Sequence, residues 1–321
     1  MSRLKTVCAL VVAIAAPACA SKAPPVARPP VLAPSVQPAA WESAPLHASG
    51  PIKLRRLHEV GDSVRAHFKG HAVTLAKPGQ GVTAPAPGPV PMEFGGTWEQ
   101  RIVDVATDGS FVALGCIEGA HVKGPDGKEA IELQCGVKPV RASARNEWPR
   151  TDPPVPPGPY ESLTVDLTPG LDHFITPMLY PEAPIASGAT WTHSDQWVKV
   201  EGKKAPNHAR VDVKWTFLGV ENSGGALFAH LACDGTFESR VHVQDSSGAT
   251  LAKARAGGRI LCAYRLALAD GVSSDWRVDF ESEGESTARR GTTEETWHTR
   301  TSGHFSGGYA LSRAGKAPAG T

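Results

Sequence analysis

The chain has 321 residues, a formal net charge of +1, and 33 Gly and 28 Pro. A near-neutral chain without Lys/Arg clusters interleaved with aromatics lacks the electrostatic footprint of a nucleic-acid binder, so no nucleic-acid partner is expected. The Gly and Pro content, with no long Leu/Glu/Lys/Arg runs at helical spacing, is that of strands and turns.

Residues 1–18 read as an export signal. Arg3 and Lys5 form a basic start, an apolar run extends from Thr6 to Ala16, and small residues follow. The run is too short to cross a bilayer core of about 30 Å. The next residue is Cys19, and Ala16-Pro17-Ala18-Cys19 resembles the lipobox of bacterial lipoproteins, with Ala16 where the family usually carries Leu. The resemblance implies that Cys19 takes the lipid and becomes the mature N-terminus. With Ala20 and Ser21 following and no Asp retention signal, it implies an outer-membrane lipoprotein facing the periplasm or the cell surface. The rival reading is ordinary cleavage around Ala18 or Ala20, which would release a soluble periplasmic or secreted protein. Residues 19–50, rich in Pro, Ala, Ser and Val, read as a tether in which polyproline II extends about 3.1 Å per residue.

Beyond the tether, apolar and polar residues alternate with period two. Val64–Phe68, Trp98–Val105, Phe111–Ile117, Ile131–Cys135, Val211–Val220, Ala226–Cys233, Arg259–Leu268 and Trp276–Glu281 read as strands. Asp-Gly pairs at 108–109, 126–127, 234–235 and 270–271 read as hairpin turns, because Gly accepts positive φ. Pro78–Pro91 reads as a long loop. No segment makes a convincing amphipathic helix.

Two passages share an order of features. Ile102 to Gly119 and Phe217 to Gly235 each run strand, turn, strand, cysteine, turn, and Val60-Gly61-Asp62-Ser63 matches Ser187-Gly188-Ala189-Thr190. The glycines at 61 and 188 and the cysteines at 135 and 262 are each 127 positions apart, whereas those at 116 and 233 are 117 apart. A duplicated β unit is therefore expected: a first half over 51–148, a Pro-rich connector over 149–159, a second half over 160–303 and a disordered tail over 304–321. The stretch from Tyr180 through Pro181, Pro184 and Gly188 to Trp191 resembles uncharacterised β-rich envelope lipoproteins, in which a Pro-containing turn and a glycine precede a Trp-initiated strand and the pattern occurs twice. The resemblance spans about residues 51–300. It implies an all-β fold of antiparallel meander sheets, a half-barrel or sandwich with two related halves and little helix, and it carries no active site.

With Cys8 in the signal and Cys19 assigned to lipid, Cys116, Cys135, Cys233 and Cys262 remain. An even count in an exported chain favours disulfides, and CxxC pairs expected of a metal site are absent. Of the three connectivities, Cys116 with Cys135 and Cys233 with Cys262 is favoured, because each pair joins neighbouring strands within one half.

The clusters of reactive side chains do not assemble a site. His67 and His71, four apart on a strand, stand about 13 Å apart, too far for one ion. His193, Ser194 and Asp195 are consecutive and point to opposite faces, as do Asp172 and His173, so neither set assembles a relay. Glu281, Glu283 and Glu285 share one strand face, which could attract a cation such as calcium but reads better as a charged face that keeps the strand from pairing with other chains. Trp98, Trp191, Trp215, Trp276 and Trp297 read as core, with a glycan- or apolar-chain-binding row as the alternative. The Gly pairs at 95–96, 224–225, 257–258 and 307–308 read as turns or bulges, and no GxGxxG, Walker or GxSxG motif occurs. No catalytic residue, metal or cofactor is expected. The reading is a non-enzymatic envelope lipoprotein with a binding or structural role, whose partners are a membrane through the lipid and an envelope protein or apolar ligand. A carrier of lipid in a concave sheet and, further off, a hydrolase with dispersed residues are the alternatives.

Overall fold

The structure, a computed structural model, describes residues 39–123, 129–133, 138–145, 179–199, 207–244, 250–290 and 293–313. A single 3₁₀ turn spans Ala40–Ser43, and the rest is strand and connection: β1 (Ser63–Pro78), β2 (Val90–Val105), β3 (Phe111–Lys123), β4 (Glu129–Leu133), β5 (Lys138–Ala142), β6 (Thr190–Lys199), β7 (Asn207–Ser223), β8 (Ala226–Gln244), β9 (Thr250–Ala267), β10 (Ser274–Arg290) and β11 (Thr293–Ser312). All pairings are antiparallel. They join into one sheet of order β4-β3-β2-β1-β11-β10-β9-β8-β7-β6, with β5 also on β3. The expected all-β meander is what the chain forms.

Directly opposed residues point to the same side of a sheet, so the register defines rows across it. One inner row runs Phe68, Gly307, Trp276, Tyr264, Leu231, Phe217. The next runs Gly70, Phe305, Val278, Cys262, Cys233, Trp215, Trp191. Bulky rings alternate with glycines. A Cβ on Gly307 would lie 2.5 Å from the Trp276 ring and one on Gly303 would lie 2.8 Å from Phe280, so the glycines are slots that receive the rings. Trp215, Trp276 and Trp297 are buried, and Trp191 stacks on Trp215, as the core reading expects; the side chain of Trp98 lies outside the described residues.

The relation between the halves is visible in the backbone. Glu59 O accepts from Asp62 N, Gly61 N donates to Ile102 O, and Ile102 N donates to Asp62 O; Ala186 O, Ala189 N, Gly188 N, Phe217 O and Phe217 N repeat the three bonds. Gly61 and Gly188 have φ of 91° and 87°. A register shift follows each junction, between Ile102 and Asp104 and between Phe217 and Gly219. The same strand-entry device is thus used before β1 and before β6. Because β1 pairs with β11, strands from both stretches share one sheet.

Several expectations are corrected. Residues from Gly303 onward do not fray: β11 continues to Ser312 between β1 and β10, with Phe305 and Tyr309 buried, because its glycines seat rings from β10. Asp234-Gly235 is no turn but mid-strand in β8, where a Cβ on Gly235 would lie within 2.4 Å of Asp212 O. Gly109 and Gly271 do have the positive φ expected of their turns, and Asp126-Gly127 lies outside the described residues. Gly224 and Gly225 form a turn and Gly95 precedes a bulge, but Gly257–Gly258 and Gly307–Gly308 run within unbroken ladders. The tether, expected to reach residue 50, gives way earlier to chain packed on the sheet.

Candidate functional site

Residues 39–58 form a strap that crosses from the outer face of the sheet to one end of it. Outward-facing side chains on this part of the sheet are small or charged. One outer row reads His67, Gly308, Asp275, Arg265, His230, Gly219, and the next reads Lys69, Ser306, Arg277, Ala263, Ala232, Thr216. The 3₁₀ turn settles in the trough left by the small residues. The Glu42 carboxylate accepts Arg277 Nη1 at 2.8 Å and the Ala39 amide at 2.8 Å, while Trp41 meets the His230 ring edge-on at 5.7 Å. The strap then pairs His47 with Val220 in both directions; a Cβ on Gly219 would lie 2.9 Å from His47 O, so this close approach requires glycine.

Beneath Trp41 lies a buried ionic chain. Arg265 grips Glu221 with two bonds of 2.7 and 3.0 Å, His230 Nε2 stands 2.7 Å from the same carboxylate, and Arg265 also reaches Asp275 at 3.3 Å. The Arg265 guanidinium lies 3.5 Å over the Phe228 ring. Arg265, and after it His230, hold the Glu221 carboxyl down to about 2 against the cost of burial. Every charge here has a partner, so the cluster fastens the strap rather than offering a free acid or base. Between the turn and β1, β10 and β11 is a cleft of about 210 Å³ lined by Trp41, His67, Lys69, Asp275 and Arg277.

At the end of the sheet the strap ties elements that are far apart in strand order. Ile52 pairs with Ile185 ahead of β6, Arg56 N donates to Ala144 O beyond β5, and Leu57 N donates to Asp270 O in the β9–β10 turn. Arg145 Nε donates to Tyr180 O, Tyr180 N to Arg145 O, and the buried Tyr180 hydroxyl to Gly271 O. The sheet is therefore curled, with its β5 and β6 sides brought together at this end. Asp62, fully buried, accepts Arg313 Nη1 at 2.7 Å and the Glu59 amide at 2.8 Å. His58 packs on Phe111 with its side chain 1% exposed, 3.9 Å from Asp62, and neither ring nitrogen has a hydrogen-bond partner. Burial, then the nearby Arg56, lower its pKa to about 4.

The second cavity, about 270 Å³, lies at this end between Leu54, Leu57, Leu266 and Leu268. On the inner face Trp215, Phe217 and Val278 are fully buried.

The remaining sequence candidates fall as follows. Ser194 bonds Asp212 on β7, not His193. Glu281, Glu283 and Glu285 do share the outer face of β10, but Arg300 lies 3.8 Å from Glu281 and Arg255 3.4 Å from Glu285, so the face is charge-balanced rather than a cation cradle. Cys233 and Cys262 are directly opposed on β8 and β9 and joined as a disulfide, with Cα atoms 4.7 Å apart. Cys19, Cys135, Asp172, His173 and the side chain of Cys116 lie outside the described residues. The strap and the Glu221–His230–Arg265 chain were not foreseen. Their partners lie up to 235 positions apart, and the one local signal was the alternation of charge with small residues on β10 and β11.

No known protein family and no curated protein matches the chain. Among solved structures it is similar to an outer membrane channel from Pseudomonas putida F1, at 9% identity over 79% of this chain and 97% of that one with a TM-score of 0.22. It is also similar to Pseudomonas putida OprB at high pH, at 6% identity over 78% and 94% with a TM-score of 0.24. Similarity of this degree carries no argument about activity.

Proposed function

We propose that this chain is a non-enzymatic, lipid-anchored component of the bacterial cell envelope, attached to the outer membrane through Cys19 and holding its β body in water. The observation that carries this reading is the polarity of the sheet. Aromatic and aliphatic rows face inward, while the outer face carries cross-strand pairs such as Arg259 with Asp234 at 2.6 Å and Arg255 with Glu285 at 3.4 Å. A membrane-spanning barrel has the opposite arrangement, with an apolar outer band. At about 2–4 kcal/mol for an Arg at the bilayer midplane, and less towards the interfaces, Arg255, Arg259 and Arg300 would each oppose insertion. The strap begins about twenty residues after Cys19, which leaves a Pro-rich linker between anchor and body. The outer face and the strapped cleft are then the surfaces open to an envelope partner.

The test is Cys19→Ser in the full chain, followed by membrane fractionation and intact mass. The reading requires a lipid-sized mass on the wild type only and release of the variant into the soluble fraction. Retention of the variant in the outer membrane would mean that the body itself inserts. A lipid or apolar-ligand carrier would instead co-purify with its cargo, which native mass spectrometry would detect.

A further inference from the structure

We infer that His71 and His304 form a binding site for a borderline transition-metal cation, Cu²⁺ or Zn²⁺, with Asp279 as third donor. His71 on β1 is directly opposed to His304 on β11, and His304 to Asp279 on β10, so the three occupy one row on the outer face. The two imidazoles have centroids 6.2 Å apart and planes inclined by 35°. His71 Nδ1 is buried without a hydrogen-bond partner, and among the described residues neither ring is engaged in a hydrogen bond or ion pair. Two facing imidazoles with unused lone pairs are what a bidentate site needs.

The distances are close to those of a ligated pair. With metal–nitrogen bonds of about 2.0–2.1 Å, two rings on a tetrahedral ion have centroids about 5 Å apart, so closure requires about 1 Å of movement by side-chain rotation. No three His, Cys, Asp or Glu side chains already form a metal-competent group among the described residues, so the imidazole pair is the preset element and Asp279 must turn towards it. Asp279 now accepts Arg277 Nε at 2.9 Å; Arg277 is also held by Glu42 at 2.8 Å and so has a second carboxylate to keep. Two nitrogens and one carboxylate select Cu²⁺ and Zn²⁺ over Ca²⁺ or Mg²⁺. The His67–His71 spacing that fails along one strand is replaced by a pair across two.

The experiment titrates the purified, chelator-stripped mature chain with Cu²⁺ by calorimetry and records the electron paramagnetic resonance spectrum at one equivalent. The expected result is one micromolar-range site per chain with two-nitrogen superhyperfine structure, a weaker Zn²⁺ isotherm, and weaker binding still for Mn²⁺. His71→Ala and His304→Ala should each lower Cu²⁺ affinity by about 10–100-fold or more, and Asp279→Asn by less. His67→Ala, on the same face but four residues away along β1, should leave affinity unchanged. His71→Asn and His304→Asn keep a polar side chain and the fold, checked by circular dichroism, and should lose the metal equally. The inference is overturned if His71→Ala and His304→Ala bind as tightly as the wild type, if His67→Ala costs as much as the other two, or if the spectrum shows fewer than two nitrogens.

Discussion

Lowering the pH from 7.5 to 5 should destabilise the fold, with a separable contribution from His58. In the folded chain its ring is buried against Phe111 and its pKa lies at about 4, against an ordinary value of 6.5. The folded state therefore holds His58 neutral while the unfolded chain takes up a proton as the pH falls through 6.5. Stability from this group is complete above about pH 7, falls between 6.5 and 4, and stops falling once the folded state protonates as well. A difference of about 2.5 units at 1.36 kcal/mol per unit gives roughly 3 kcal/mol in full and roughly 2 kcal/mol at pH 5. The assay is urea unfolding at pH 7.5 and 5 of wild type and His58→Leu. Comparing each protein with itself across pH removes the packing cost of the substitution. The wild type should lose roughly 2 kcal/mol more than the variant over this interval. Equal losses, or a His58 titration near 6.5 by nuclear magnetic resonance, would refute the burial argument. Glu221 contributes in a separate window: its carboxyl is held at about 2, so its stabilisation is present above 4.5 and lost only as the pH falls towards 2.

Three further outcomes follow from the packing. Replacing Cys233 and Cys262 with Ser opens a loop of sequence separation 29 and should cost roughly 3.5 kcal/mol on the chain-entropy account, seen as a lower urea midpoint; non-reducing peptide maps should join the two cysteine peptides. Gly307→Val places carbon against the Trp276 ring and should cost about 1–3 kcal/mol, whereas Ala310→Val at an exposed outer position of the same strand should be nearly neutral, both read from urea midpoints. Glu42→Ala removes one of the two carboxylates on Arg277 and should cost about 1 kcal/mol globally while speeding proteolysis within residues 39–50 several-fold; unchanged cleavage would mean that the ion pair does not hold the strap.

The parts of the fold that were legible in the sequence are those decided by local chemistry. Period-two alternation marks β3, β7 and β9, and the glycines at 61 and 188 mark strand entries whose positive φ the structure displays. The alignment of Ile102 with Phe217 identifies two residues with the same backbone bonds and the same following bulge. What escaped is set by contacts distant in sequence. Gly303, Gly307 and Gly308 look like breakers until Trp276 and Phe280 are placed against the strand, although Trp297, Thr299, Thr301, Phe305 and Tyr309 already alternate with His298, Arg300, Ser302, His304 and Ser306. Likewise, nothing near Glu42 announces Arg277, and nothing near His71 announces His304. The site lies where strands meet, and strand order was not in the local pattern.

The central claim is that the outer face of the sheet is bathed in water while the lipid at Cys19 alone holds the chain to the membrane. Carboxyl labelling of intact membranes, read by peptide mass, tests this at Glu281, Glu283 and Glu285 together. Glu281 and Glu283 should label at the rate of exposed carboxylates, Glu285 more slowly because it is half-buried beside Arg255, and detergent should change none of the three rates. Protection of all three in membranes, relieved by detergent, would place the face in lipid and contradict the account.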